Sequence, residues 1–165
     1  MTEVRLIRAS DDDKPVIARL IQLYLYDMAA QTPFAIAADG LYDYGHLDAF
    51  WQHPYLFRVA GDIAGFALII GHCPVTETAP CWFMAEYFVL RPYRRKTVGK
   101  AMLHAILARH PGRWHIATQT WNRSADAFWA RILPTEGRQD LSARFDDADW
   151  TLRAFDCGSP PDGST

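Results

Sequence analysis

Between Cys81 and His110 the chain changes its hydrophobic period once, across a short basic segment. Cys81 to Leu90, CWFMAEYFVL, is a long apolar run of strand type that ends at Arg91-Pro92. After RPYRRKTVG the apolar residues recur at helical spacing, with Val98, Met102, Ala105, Ile106 and Arg109 on one side until Pro111-Gly112 stops the helix. A strand that feeds straight into a one-sided helix needs a sheet with helices packed on it, which commits the chain to an α/β (α+β) architecture. At 165 residues, half of them hydrophobic, the chain suits one domain with a single sizeable core.

The segments on either side are consistent with that reading. VRLIR, 4–8, alternates like a half-exposed first strand, and Ser10 with Asp11 to Asp13 offers caps and negative charge for a helix start. With Pro15 in its first turn, that helix is expected from about Lys14 to Ala29, its apolar face formed by Val16, Ile17, Leu20, Leu23, Tyr24 and Met28. From Ala30 to Pro54 the pattern is irregular and rich in aromatics, which suits either the wall of a substrate pocket or a satellite cluster over the core. Tyr55 to Ala60 and Ile63 to Ile70 read as a hairpin turning at Gly61-Asp62, and Gly65 signals a bulge or a close backbone approach. Beyond the central unit a buried strand is expected at Trp114 to Thr118, a helix at Asn122 to Ile132, and strands around Gly137 to Phe145 and Trp150 to Phe155. The domain is expected to span 1–156, with 157–165, CGSPPDGST, as a flexible tail.

Chemistry concentrates at the basic turn. The first N–H groups of a helix have no intrahelical partner, and the positive end of the helix dipole lies behind them. An anion fits there. Arg94, Arg95, Lys96 and Lys100 add four cations, while Gly99 and Ala101 leave the main chain approachable. The plainer alternative is a solvated basic helix start. A Walker loop is excluded, because Ala101 lacks the hydroxyl that holds magnesium and Arg94 stands where the first glycine belongs. A dinucleotide fingerprint is excluded as well, since the turn has a single glycine and lies beyond mid-chain.

The turn resembles the acyl-CoA signature [QR]-x-x-G-x-[GA] of the GNAT superfamily of N-acetyltransferases, with Arg94, Thr97 and Gly99 in its three defined places and Thr97 replacing the first glycine. The resemblance covers about residues 3 to 155, and Asn122, Ala125 and Phe128-Trp129 match the family's second coenzyme-binding segment. It implies a single domain with a mixed, mostly antiparallel sheet of about six or seven strands and about four flanking helices. The fourth and fifth strands would splay apart after a bulge. It further implies acetyl-CoA as cosubstrate, held by Phe88, Val89 and Leu90 along the pantetheine, by Arg94, Arg95, Lys96, Thr97, Val98, Gly99, Lys100 and Ala101 at the pyrophosphate, and by Asn122, Phe128 and Trp129 on the far side.

The implied reaction is acetyl transfer to a primary amine by direct attack in a ternary complex, with backbone N–H groups of the fourth strand stabilising the oxyanion. Glu86, the carboxylate within the apolar strand, is the candidate general base; the other reading turns it outward into an ordinary salt bridge. The family's usual acidic tyrosine is replaced by Trp129, which leaves water, Tyr24, Tyr42 or Tyr87 to protonate the leaving thiolate. Asp27, Asp39, Asp43, Asp48 and Glu86 are candidates to attract a cationic acceptor. The alternative function is a catalytically degenerate acyl-CoA-binding sensor or interaction module, motivated by Thr97 and the missing tyrosine.

Composition bounds the rest. A net charge of −2 and pI near 6.3 argue against a nucleic-acid-coating protein, despite RPYRRK and the stacking potential of Tyr93. No stretch approaches the ~20 apolar residues of a membrane span, and MTEVRLIRASDDDK lacks the order of a signal peptide, so a cytoplasmic location is expected. Cys73, Cys81 and Cys157 and the six histidines are scattered, so no metal is expected. Expected partners are a small-molecule or protein amine acceptor and, at most, a second copy of the chain in a homodimer, with neither nucleic acid nor membrane.

Overall fold

A computed structural model describes residues 2–158. Cys157 closes the last strand instead of opening a tail, and the remainder of the expected tail, from residue 159, lies outside the described residues. Seven strands, β1 (Val4–Arg8), β2 (His53–Val59), β3 (Asp62–Ile70), β4 (Trp82–Val89), β5 (Gly112–Gln119), β6 (Gln139–Phe145) and β7 (Ala148–Cys157), form one sheet in the order β1-β2-β3-β4-β5-β7-β6. All pairings are antiparallel except β4 with β5. The helices are α1 (Lys14–Met28), α2 (Leu47–Phe50), α3 (Val98–Arg109) and α4 (Arg123–Ile132). None of the described helices is long and apolar enough to cross a membrane.

The helices divide the core between the two faces of the sheet. α1 buries Ile17, Leu20, Ile21 and Leu25 against Leu56, Phe66, Leu68 and Phe88. The expected apolar stripe is therefore displaced: Leu23 is 51% exposed, and Ile21 and Leu25 take its place. At roughly 100° per residue, Leu23 lies about 200° around the helix from each of them, so all three cannot face the sheet together. On the opposite face α3 and α4 bury Val98, Met102, Leu103, Ile106 and Trp129 against Phe57, Trp114, Ile116 and Phe155. Before α1, the N–H and hydroxyl of Ser10 both donate to Asp13 (2.9 and 3.1 Å), which fixes the entry of the chain.

Two bulges shape the sheet. In the β2–β3 hairpin the turn is Ala60-Gly61, one residue earlier than the sequence suggests, because Val59 pairs with Asp62. Both turn residues have positive φ (51° and 90°), the geometry that matches the twist of a tight hairpin. The register then steps from Arg58↔Ile63 to Phe57↔Gly65, leaving Ala64 as an extra residue. Gly65 also meets the close approach expected of it, since an added Cβ would collide with the Phe88 carbonyl oxygen and lie 2.8 Å from the Phe57 ring.

The second bulge opens the sheet. Glu86 pairs with Leu68, but the next pair is Met84↔Ile69, so Ala85 is the extra residue on β4. β4 and β5 pair only at Trp82↔Trp114 and Phe83↔His115 and diverge beyond them. This is the splay between the fourth and fifth strands that the sequence resemblance implies.

Because Gly65 lies against a backbone carbonyl that cannot move without disturbing β4, Gly65→Ala is expected to cost about 1–3 kcal/mol of stability. Urea unfolding followed by tryptophan fluorescence measures it; an unchanged midpoint would show that the approach is looser than described.

Candidate active site

The basic turn is built by two residues in left-handed conformation. After a 3-10 turn at Arg91–Tyr93, Arg95 (φ 59°) and Thr97 (φ 50°) reverse the chain, and α3 begins at Val98. For a β-branched residue this is an unfavoured conformation, of the kind a glycine adopts freely. The first helical bond of α3 runs from the Ala101 N–H to the Thr97 carbonyl (2.9 Å), so the N–H groups of Gly99 and Lys100 precede the ladder and point out of the helix start. Arg95, Lys96, Thr97, Lys100 and Ala101 are exposed around this start. Val98 differs: its side chain is buried in the core under α3.

Arg94 is committed elsewhere through its side chain. Its two Nη atoms bond the Asp27 carboxylate (2.9 and 3.3 Å), its Nε donates to the Val89 carbonyl (2.8 Å), and its guanidinium lies 5.3 Å from the Phe88 ring centre. Arg91 donates to the same carboxylate at 2.9 Å. Burial pulls the Asp27 carboxyl upward in pKa, but the hydrogen bonds and charges of Arg94 and Arg91 outweigh it and hold the group below its ordinary value. Arg94 thus ties the end of α1 to the end of β4 and fixes the mouth of the splay.

Gly99 has a further reason to be glycine. A Cβ there would lie 3.2 Å from the Phe128 ring and 3.7 Å from Val89, so its absence lets α4 close against α3. Asn122 caps α4 by accepting from the Ala125 N–H (3.2 Å), and Gln31 beyond α1 donates to the same oxygen (3.1 Å). The Leu90 N–H is used on the β3 side, where it donates to the Ala64 carbonyl (2.8 Å). By strand alternation the Val89 N–H points the other way, into the gap.

Two cavities fill that gap. The outer, about 220 Å³, runs past Asp27, Phe88, Val89, Arg94, Ser124 and Phe128. The inner, about 200 Å³, holds Glu86, Thr118, Gln119, Trp121 and Trp150. They share Tyr24, Met28, Tyr87, Asn122, Ala125 and Trp129, so they adjoin, with Arg94 at the outer end and Glu86 in the inner one. A larger cavity of about 680 Å³ lies where β4 and β5 begin, near Trp82 and Gly112, and contains none of these residues.

Glu86 does not turn outward into a salt bridge. It is half-buried and accepts from the Tyr44 hydroxyl (2.9 Å), and Tyr24 lines the same inner cavity. Burial raises its pKa from the ordinary carboxylate range to about 7, although the hydroxyls of Tyr24 and Tyr44 pull it down. Burial and the Glu86 charge in turn push the Tyr24 hydroxyl well up. Of the tyrosines that could protonate a leaving group, Tyr87 lines the cleft but donates its hydroxyl to the Gly99 carbonyl, and Tyr42 lines neither cavity. Tyr24 lines both cavities and touches Glu86. Trp129 is buried, edge-on to Tyr87 at 5.0 Å.

Of the aspartates considered as attractors, Asp39, Asp43 and Asp48 are exposed and line neither cavity, and Asp48 pairs with Lys14. Tyr44 had no sequence role beyond bulk. Only its place in the aromatic-rich segment before β2 hinted at a pocket wall. Among the described residues, no group of three or more His, Cys, Asp or Glu is placed to hold a metal.

The sequence profile of the acetyltransferase (GNAT) family matches residues 22–133, and the chain belongs to that family. It is similar in fold to a GNAT-family acetyltransferase from Streptococcus agalactiae, at 13% identity and a TM-score of 0.70, over 91% of this chain and 94% of the other. The ribosomal-protein-S18-alanine N-acetyltransferase from Escherichia coli is similar over 99% of both chains, at 13% identity and a TM-score of 0.61. An acetyltransferase from Thermus thermophilus is similar over 92% of this chain and 97% of the other, at 13% identity and a TM-score of 0.64. At these identities the likeness establishes the fold. No curated protein matches the sequence significantly.

The raised Glu86 pKa has a stability consequence. A carboxyl whose folded pKa lies above its unfolded value stabilises fully below about pH 4.5, and that contribution is lost as pH rises through about 7. Glu86→Gln keeps an acceptor for both tyrosines without the charge, so at pH 8 it is expected to be more stable than the parent by on the order of 2 kcal/mol, the gain vanishing near pH 4. Thermal unfolding at the two pH values measures this; a gain independent of pH would exclude the buried charge as its cause.

Proposed function

We propose that this acyltransferase-family protein is an acetyl-CoA-dependent N-acetyltransferase that acts on a primary amine by direct attack, with Glu86 as general base. The observation that carries the reading is a pair of adjoining cavities that run from Arg94, just before the basic helix start, to a carboxylate poised near neutrality. Bound acetyl-CoA would supply the thioester carbonyl that the amine attacks.

The chain's own groups would divide the work as follows. The N–H groups of Gly99 and Lys100, with the exposed Arg95, Lys96 and Lys100, would hold the pyrophosphate at the helix start, Thr97 and Ala101 lying beside it. Phe88 and Val89 would flank the pantetheine on one side, and Asn122, Phe128 and Trp129 on the other. Arg94 would hold the cleft mouth through Asp27 and Val89, and Leu90 would act through its bond to β3. The Val89 N–H would bond the thioester carbonyl oxygen and stabilise the charge it gains. Glu86 would accept the proton lost by the amine nitrogen as the nitrogen–carbon bond forms. Tyr24 would give its proton to the departing sulfur and recover one from Glu86, with which it shares the inner cavity. A carboxyl near pH 7 in strength suits this exchange and favours an enzyme over a degenerate binding module.

Two measurements test the reading. Gly99→Glu combined with Arg94→Ala is expected to abolish acetyl-CoA binding in calorimetry, since it places a charge against Phe128 and releases the cleft mouth; unchanged affinity would remove the coenzyme site. Glu86→Gln is expected to lower kcat by roughly 100- to 10,000-fold with acetyl-CoA affinity retained. In the parent, kcat/KM should rise with pH through an apparent pKa near 7, and the variant should lose that limb. Full activity of the variant would exclude Glu86 as base.

A further inference from the structure

The inner cavity differs from the outer in its charge. Glu86 is the one ionisable carboxylate on its wall, and no Arg, Lys or His lines it among the described residues. Arg94 lines the outer cavity and is already paired with Asp27, and the buried Arg153, which lines neither, is paired with Asp126. Tyr24, Trp121, Trp129 and Trp150 supply aromatic surface around the carboxylate, and Thr118 and Gln119 are its neutral polar neighbours. Trp150 is held in place by its indole N–H, which donates to the Phe145 carbonyl (3.0 Å), and Trp121 is held by an edge contact with Phe34.

These features act differently on the two ends of an acceptor. A cationic amine gains from Glu86 and from aromatic faces. A carboxylate one carbon away would enter beside Glu86 with no counter-ion, losing its hydration and meeting a like charge. The volume, about 200 Å³, lies below the ~300–1,000 Å³ of sites for drug-sized ligands, so the cavity suits a single ring and a short chain.

Resting on the N-acetyltransferase reading, we propose that the acceptor is a small arylalkyl primary amine without a carboxylate, and that the inner cavity excludes free amino acids. Selection comes from the missing counter-cation, and the aromatic walls hold the ring.

The test uses the intact 165-residue chain with acetyl-CoA and four acceptors that share one ring: 2-phenylethylamine, L-phenylalanine, L-phenylalaninamide and the peptide Phe-Gly-Gly-amide. Coenzyme A release and acetyl-CoA affinity are measured in parallel. The proposal expects kcat/KM for 2-phenylethylamine to exceed that for L-phenylalanine by about 100-fold or more, with the amide recovering most of the difference. Equal or better use of L-phenylalanine would overturn the proposal and leave the acetyltransferase reading intact. A peptide preferred over 2-phenylethylamine by about tenfold or more would overturn it in favour of a polypeptide amino terminus. Acetyl-CoA bound without transfer to any of the four would overturn the proposal, and the catalytic reading with it only if a broad panel of other primary amines also released no coenzyme A; absence of acetyl-CoA binding would remove the coenzyme site as well.

Discussion

One extra residue, Ala85, governs the molecule's central opening. Two parallel strands in register would hydrogen-bond along their length and leave no space between them. With Ala85 unpaired against β3, β4 bends, and its contact with β5 ends after Trp82 and Phe83. The backbone groups beyond those pairs turn towards a cleft, and the side chains of α1 and α4 form its remaining walls. The bulge also sets Glu86 beside Tyr24 and Tyr44.

An opening in a sheet is costly unless its edges are held, and two sets of contacts hold this one. At the mouth, Asp27 accepts from both Arg91 and Arg94, and Arg94 also grips the last carbonyl of β4. Inside, Glu86 accepts the Tyr44 hydroxyl from the segment before α2, and Tyr24 of α1 lines the same cavity. Each set joins residues from different elements, so the geometry of the cleft depends on the whole domain. On the far wall, Gly99 lets Phe128 approach α3, and the Tyr87 hydroxyl reaches the Gly99 carbonyl from β4. Strand, turn and helix are thereby locked around a single glycine.

Much of the architecture was legible because it is written in local pattern. The change of period at Leu90, the Gly61 hairpin and the capped start of α1 all depend on residues within a few positions of one another, and each appears near its expected place. Local pattern was weaker where geometry accumulates over several residues. Leu23 fits an apolar spacing when counted by eye, yet it lies on the wrong side of α1 once the 3.6-residue turn is followed from Ile17 to Leu25. The hairpin turn moved by one residue because strand register, set by β1 and β4 on either side, decides which pair closes it.

By itself, the sequence determined the strand, basic turn and helix, the room for close approach at Gly65 and Gly99, and a lone carboxylate within an apolar strand. These are properties of covalent geometry and short-range spacing. The tertiary structure alone decided that Arg94 faces Asp27, 67 positions away, that Tyr44 meets Glu86 across 42, and that the inner cavity has aromatic walls without a cation. Partners so distant in the chain are chosen by packing of whole elements, and the pKa of Glu86 follows from burial that no local segment contains.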